Sequence, residues 1–117
     1  MAEPIYHMCR AEEWETAQKT GEYTGSSQDR ADGFIHFSTR PQIVESAKKH
    51  RAGQTGLILL TVDPTQLGES LKWEESRGGA LFPHLYGNLP VEAVQRFDAL
   101  PLGEDGEHIF PAHITET

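Results

Sequence analysis

The sequence is poor in cysteine and in long apolar runs. Cys9 is the only cysteine among 117 residues, so the chain cannot form an intramolecular disulfide or a cysteine-rich zinc module. It shows no basic start followed by an apolar stretch of signal-peptide length. It also lacks the run of roughly 20 apolar residues that a membrane-spanning helix requires. These absences predict a cytoplasmic protein with no membrane association.

Positive charge is also scarce. Ten Lys and Arg residues stand against 18 Asp and Glu residues, which gives a formal net charge of −8. Proteins that bind nucleic-acid backbones present a basic face that displaces counterions. The composition therefore argues against nucleic acid as a partner, while it leaves room for one small anion-binding pocket.

The length and the apolar content fit one folded domain. Apolar and aromatic residues make up 37% of the chain, enough for a real core, and a second independent core would leave each half near the lower size limit for folding. After Pro101 the sequence turns acidic and loses its pattern. We predict a single domain over residues 1–102 and an acidic C-terminal tail over residues 103–117.

Short strands alternate with two main short helices. The first helix is expected over residues 11–19, and the second over 40–50, where Thr39 and Gln42 have the spacing of a capping box. Residues 22–27 are expected to form turns, and residues 63–68 a single helical turn. Strands are expected at 4–9, 34–38, 56–62, 71–74, 81–86 and 94–100, with 56–62 in the centre because its apolar run is continuous. This pattern predicts an α+β fold with many antiparallel strands.

The second helix ends in a basic cluster. Lys48, Lys49, His50 and Arg51 follow one another there. They complement the negative end of the helix dipole. The same cluster could hold an anionic ligand, and the sequence leaves both interpretations open.

Three histidines lie inside short apolar runs of strand character: His7, His36 and His84. A buried imidazole needs hydrogen-bond partners. Side chains two apart in a strand share a face, which places Ser38 beside His36 and Tyr86 beside His84. The pattern fits either a shared ligand cleft or three separately satisfied core histidines.

Several of these segments together resemble a known family. The resemblance covers roughly residues 4–100 and is carried, in order, by Ile5-Tyr6-His7, Gly33-Phe34-Ile35-His36-Phe37-Ser38-Thr39, Val62-Asp63-Pro64, Trp73-Glu74 and Phe82-Pro83-His84-Leu85-Tyr86-Gly87-Asn88-Leu89-Pro90. They resemble segments of the bacterial domain of unknown function 952 family, which is similar in fold to the ADP-ribosyltransferases. The resemblance implies an ADP-ribosyltransferase-like split β-sheet core.

The resemblance also implies a ligand class and residue roles. Enzymes of the wider group hold NAD with a strand residue in the position of His7 and with an aromatic-x-Ser-Thr stretch like the one ending in Ser38 and Thr39. We therefore expect the histidine-lined cleft to bind or process NAD, ADP-ribose or a related nucleotide, with NAD as substrate or ligand. Catalysis is assigned to His36 and His84, and ligand binding to His7, Ser38, Thr39 and Tyr86.

One departure from the wider group leaves the reaction open. Those enzymes usually carry a catalytic Glu where this chain has His84, and an imidazole supplies no negative charge to a cationic sugar. Glu74 or Glu75 could reach the cleft instead. The related RNA 2′-phosphotransferases work without that Glu, so the implied enzyme is an ADP-ribosyl or a phosphoryl transferase. Two alternatives stand beside it, a non-catalytic ligand-binding module and a His-based zinc or iron site.

Overall fold

A computed structural model of the chain describes residues 3–76 and 79–115. Its strands are β1 (Ile5–Arg10), β2 (Glu22–Tyr23), β3 (Ile35–His36), β4 (Leu57–Val62), β5 (Leu71–Ser76), β6 (Ala80–Leu85), β7 (Leu89–Pro90) and β8 (Val94–Leu100). Its α-helices are α1 (Ala11–Thr20), α2 (Ser27–Asp32), α3 (Arg40–His50) and α4 (Ala112–Thr115). Within the described ranges, no helix has the length and apolar character needed to cross a bilayer.

The strands form antiparallel sheets that meet at one point. One sheet has the order β1-β4-β8, a second has the order β3-β6-β5, and β2 pairs with β7. The two larger sheets are joined where Tyr6 and Ser38 exchange backbone hydrogen bonds, each 2.8 Å from nitrogen to oxygen. The expected α+β class with antiparallel strands is confirmed.

Strand β4 is central and covered on both faces, as its continuous apolar run predicts. Leu59 and Leu60 point to opposite faces, and both are completely buried. On one side Trp14 of α1 belongs to the core, and on the other side Ile43 of α3 does. The two predicted main helices therefore close the two faces of the first sheet.

The turn-rich interpretation of residues 22–27 is wrong in part. Glu22 and Tyr23 pair with β7, and helix α2 begins at Ser27. Ser26 caps this helix, and Asp29 completes the capping box by accepting a hydrogen bond from the Ser26 backbone nitrogen. The helix has six residues, and Asp29 is its buried residue, so it carries no apolar stripe that a periodicity search would find.

Two other predicted elements differ in detail. The strand expected at 34–38 is reduced to Ile35–His36 plus the single bridge at Ser38. The single helical turn expected at 63–68 is instead a pair of short 3₁₀ turns, Pro64–Gln66 and Gly68–Ser70.

The segment after residue 102 folds back toward α3. Ile114 of α4 is buried, and its carbonyl accepts a 3.0 Å hydrogen bond from Nε of Arg40. Leu102 and His108 form an isolated bridge. The boundary at residue 102 between a domain and a tail stays a prediction.

Candidate functional site

A cleft of about 830 Å³ runs along β1. Its volume lies within the range of small-molecule sites, roughly 300–1,000 Å³. Of the residues predicted from the sequence, it brings together His7, His36, His84 and Ser38. The predicted ligand-binding residues Thr39 and Tyr86 do not line the cleft.

His7 is buried, with 4% of its surface exposed, and both of its ring nitrogens are occupied. Nδ1 lies 2.5 Å from the His36 carbonyl oxygen, so it must be the nitrogen that carries hydrogen. Nε2 then accepts from the Tyr23 hydroxyl at 2.7 Å. Burial lowers the pKa of His7, which favours this neutral form, although the nearby Asp29 carboxylate acts in the opposite direction. His7 is a satisfied histidine in the cleft wall, and its role in ligand binding stays a prediction.

Asp29 is the polar centre of the site. It is 3% exposed, and one carboxylate oxygen accepts from the Ser26 backbone nitrogen and hydroxyl at 2.7 and 3.0 Å. The other oxygen accepts from the His36 backbone nitrogen and ring at 3.1 and 2.6 Å. Burial acts to raise the pKa of Asp29, but the His36 hydrogen bond, the charge interaction with His7 and the amide bonds outweigh it and lower this pKa. An ionised carboxylate therefore ties α2 to β3.

His36 is held between two carboxylates. Its Nδ1 bonds to Asp29, and its Nε2 lies 3.0 Å from Oδ2 of Asp32. Ionised carboxylates only accept hydrogen bonds, so both bonds form only when both ring nitrogens carry hydrogen. The side chain is 38% exposed. In this arrangement both ring nitrogens of His36 contact carboxylates, so neither is available to bind a ligand.

His84 has one ring nitrogen held and one without a protein partner. Nδ1 lies 2.9 Å from Oε1 of Glu74, the same oxygen that accepts a 2.6 Å bond from the Tyr86 hydroxyl. These bonds, Tyr86 first, lower the pKa of Glu74, and Glu74 in turn raises that of Tyr86. Among the described residues, none is hydrogen-bonded to Nε2. His84 is therefore an oriented imidazole in the cleft lining, with its second nitrogen available.

An aromatic contact connects the two catalytic candidates. The Phe34 ring stacks on His84 at a centroid distance of 4.2 Å and is tilted against His36 at 4.6 Å. His36 and His84 are directly paired across β3 and β6, with ring centroids 5.5 Å apart and edge to face. Phe34 also contacts the Tyr86 ring at a centroid distance of 5.2 Å.

Ser38 and Thr39 have different surroundings. The Ser38 hydroxyl lies in the cleft wall and 3.0 Å from the Ser46 hydroxyl. Thr39 occupies the N-cap of α3, and its backbone nitrogen donates to Oε1 of Gln42 at 2.9 Å. Gln42 also donates from Nε2 to the Leu81 carbonyl, which ties α3 to β6. The predicted capping position of Thr39 is confirmed, and the adjacent serine is the one that lines the cleft.

Part of the cleft wall is basic. Arg10 and Arg51 line it together with His50. The cluster at the end of α3 is thus divided, because Lys48 and Lys49 lie outside the cleft lining and pair with carboxylates on the surface. The helix-dipole interpretation consequently applies to Lys48 and Lys49, and the anion-binding interpretation applies to the members of the cluster that line the cleft.

Comparison with known proteins identifies the family. A model of the family described as protein of unknown function (DUF952) matches residues 8–97. The chain belongs to the DUF952 family. No curated protein matches it.

Two solved structures of another protein share the DUF952 chain's fold. The crystal structure of protein CC0527 from Caulobacter crescentus is 46% identical, with a TM-score of 0.91, and the match covers 96% of this chain and 98% of that one. The solution structure of CC0527 is 49% identical, with a TM-score of 0.80, and the match covers 89% and 90% of the two chains. These structures show that the two proteins have a common fold.

The geometry gives no support to the three-histidine metal site. Both nitrogens of His7 are engaged, and both nitrogens of His36 face carboxylates. In residues 3–76 and 79–115, no group of three or more His, Cys, Asp or Glu side chains is arranged to hold a metal ion.

Sequence reasoning missed the residues that hold the histidines in place. The predicted site lacks Asp29, Asp32 and Tyr23, and it includes Glu74 only as an alternative to Glu75. One local signal was available for Asp29, since Ser26-x-x-Asp29 has the spacing of a capping box. Tyr23 offered none, because its contact with His7 depends on the tertiary fold.

Proposed function

We propose that the DUF952 cleft binds a small nucleotide of the NAD or ADP-ribose class and that His84 acts on it as a general acid or base. One observation carries the proposal. His84 lines a cleft of ligand size, Glu74 fixes its Nδ1, and the described residues leave its Nε2 without a hydrogen-bond partner.

The chemistry follows from the tautomer. With Nδ1 donating to a carboxylate, a neutral His84 presents the Nε2 lone pair, which can accept a proton from a substrate hydroxyl or water. Glu74 stabilises the imidazolium that then forms, as a carboxylate does behind a catalytic histidine. Tyr86 holds Glu74 by donating to the same oxygen. Glu74 and Tyr86 thus act through His84 as positioning residues.

We also propose that the fold is ADP-ribosyltransferase-like. Support comes from the two antiparallel sheets that part after the Tyr6–Ser38 bridge, with the cleft running along β1. Glu74 offers a carboxylate close to the position at which the wider group uses a catalytic Glu. Here the carboxylate is bonded to His84, so we assign the proton transfer to the imidazole and not to the carboxylate.

The other predicted residues take separate roles in this proposal. Ser38 offers its hydroxyl to the ligand from the cleft wall, and Asp29 and Asp32 hold the His36 ring in the cleft lining. His7 supports the wall through the His36 carbonyl. Tyr86 serves the site indirectly through Glu74, and Thr39 does so by starting α3.

A ligand titration followed by NMR tests the proposal. NAD, ADP-ribose and nicotinamide are added separately to ¹⁵N-labelled protein up to about millimolar concentration, which detects even weak binding. We expect shifts at Ser38, His36 and His84, and a lower affinity in a His84→Ala variant, which loses the contact of Nε2 with the ligand. A His113→Ala variant, altered outside the cleft, serves as the matched control and should bind like the wild type.

The same samples separate catalysis from binding alone. Released nicotinamide or ADP-ribose is measured by chromatography after prolonged incubation. Binding with turnover supports the enzyme, and binding without any turnover supports the alternative of a non-catalytic ligand-binding module. If none of the three compounds shifts any cleft resonance, the nucleotide proposal is wrong.

A further inference from the structure

The two arginines that line the cleft differ in their partners from the basic side chains that form surface ion pairs. Four described basic residues have carboxylate partners on the surface, in the pairs Lys19–Glu15, Lys48–Glu107, Lys49–Glu45 and Arg96–Asp98. Arg10 and Arg51 line the cleft, and neither forms an ion pair with any carboxylate in the described part of the chain. In a chain with a net charge of −8, these two side chains bring positive charge to the wall of one cleft.

Arg51 is fixed in place by neutral groups. Its Nη2 donates to the Met8 carbonyl at 3.2 Å, and its Nη1 donates to Oε1 of Gln54 at 3.1 Å. A guanidinium has five N–H donors, so these two bonds leave three. Because the contacts hold the side chain without neutralising it, little conformational entropy is lost when an anion binds.

Arg10 adds a second charge at the end of β1. It is exposed, and its backbone nitrogen donates to Oε1 of Glu13 at 2.8 Å. Glu13 also lines the cleft, so one carboxylate stands against two guanidinium groups at this end. Arg10 is three residues from His7, so the backbones of these two residues are roughly 10 Å apart along β1.

We propose that Arg10 and Arg51 form a subsite for a phosphate group of the ligand whose reacting end lies at His84. This inference rests on the proposed function and narrows it, because it requires a phosphorylated ligand and not a neutral nucleoside or free nicotinamide. Arginine suits this role through its fixed fork of donors, which matches phosphate oxygens.

The test uses inorganic phosphate, pyrophosphate and ADP-ribose as separate probes, with adenosine as the uncharged comparison. Each is titrated into wild-type protein and into Arg10→Gln, Arg51→Gln and Arg96→Gln variants. Arg96 lies in a surface ion pair and is the matched control. We expect pyrophosphate and ADP-ribose to shift cleft resonances, with affinity falling roughly tenfold in each cleft variant because a charge-assisted hydrogen bond is lost. Arg96→Gln should leave the affinity unchanged.

The outcomes separate the subsite from the nucleotide proposal. If ADP-ribose binds equally well to Arg10→Gln, Arg51→Gln and wild type, the subsite is wrong and the nucleotide cleft stands. If pyrophosphate binds through the two arginines but neither NAD nor ADP-ribose does, the subsite stands and the proposed nucleotide is wrong. If Arg51→Gln unfolds, Arg51→Lys replaces it, because lysine keeps the positive charge but lacks the planar fork of N–H donors. Unchanged pyrophosphate affinity in both Arg51→Lys and Arg10→Gln would then overturn the subsite.

Discussion

Oε1 of Glu74 lies 2.9 Å from Nδ1 of His84 across the β5–β6 pair. Glu74 is paired in register with Phe82 and not with His84, so the contact is diagonal and both side chains project from the same face of the sheet. The register of the β5–β6 pair therefore sets the orientation of the His84 ring.

The first prediction concerns the tautomer of His84. In the wild type, a neutral His84 should carry its hydrogen on Nδ1, because Glu74 can only accept. Glu74→Gln should produce a mixture of tautomers, since an amide can donate as well as accept. Ring ¹⁵N shifts from long-range ¹H–¹⁵N correlation spectra report the tautomer directly. Tyr86→Phe keeps the ring against Phe34 and should change the tautomer less. Hydrogen on Nε2 in the wild type would contradict the proposed role.

The second prediction concerns the buried carboxylate. Asp29→Ala removes an acceptor that serves Ser26 and His36 and leaves their donors unpaired, so it should cost about 3 kcal/mol or more of unfolding free energy. Asp32→Ala breaks a more exposed pair with the same histidine and should cost less than about 1 kcal/mol. Denaturant unfolding compares the two. Similar losses would mean that Asp29 does not hold the site together.

The main elements of the fold were accessible from the sequence because their signals are local. A continuous apolar run identified β4, and a cap with the correct spacing identified α3. Helix α2 was inaccessible because it is short and its buried residue is Asp29, so neither length nor apolar periodicity marks it. The glycines that flank it, Gly25 and Gly33, suggested turns instead.

The site was predictable only in outline. Strand context alone left a shared cleft and separate core positions open, and the family resemblance favoured the cleft; His36 and His84 face each other across β3 and β6. What each ring nitrogen contacts depends on residues distant in sequence, such as Tyr23 for His7 and Glu74 for His84. The roles of the three histidines therefore diverge in the structure although their sequence contexts look alike.

The third prediction concerns pH. Burial lowers the pKa of His7 in the folded state below its ordinary value of 6.5. The neutral form is thus favoured by folding, and its contribution is complete above about pH 6.5 and is lost as the pH falls below that value. Unfolding free energies measured between pH 7.5 and 5.5 should decline, by up to about 1.4 kcal/mol per pH unit for this group.

Two variants test which histidine causes this change of unfolding free energy with pH. His7→Gln should flatten it, whereas His113→Gln should remove a smaller part, because burial also lowers the pKa of His113 but its side chain is 26% exposed. A slope that His7→Gln leaves unchanged would show that His7 titrates alike in the folded and unfolded states.

The fourth prediction concerns the start of α3. Gln42 makes two bonds there, accepting from the Thr39 nitrogen and donating to the Leu81 carbonyl. Gln42→Ala should therefore cost about 1–2 kcal/mol, and Thr39→Ala about 1 kcal/mol or less. Denaturant unfolding ranks the two variants. A larger loss in Thr39→Ala would identify its hydroxyl as the stronger cap, and weaker ADP-ribose binding without a stability loss would restore its predicted role as a ligand-binding residue.

The last prediction concerns His84 itself. His84→Gln keeps a hydrogen-bonding side chain of similar reach but cannot take up a proton, so a general acid or base role predicts retained ADP-ribose binding with turnover reduced roughly 10²-fold or more. His84→Glu places a second carboxylate beside Glu74 and introduces the group that the wider fold class uses at this position. If the cleft holds NAD with its ribose near residue 84, slow release of nicotinamide should appear or rise in this variant, measured by chromatography against the wild type. Turnover falls in His84→Gln and nicotinamide release rises in His84→Glu only if His84 touches the ligand. Equal binding and equal turnover in wild type, His84→Gln and His84→Glu would show that His84 is a structural residue. Its stacking on Phe34 and its bond to Glu74 would then serve only to stabilise the sheet.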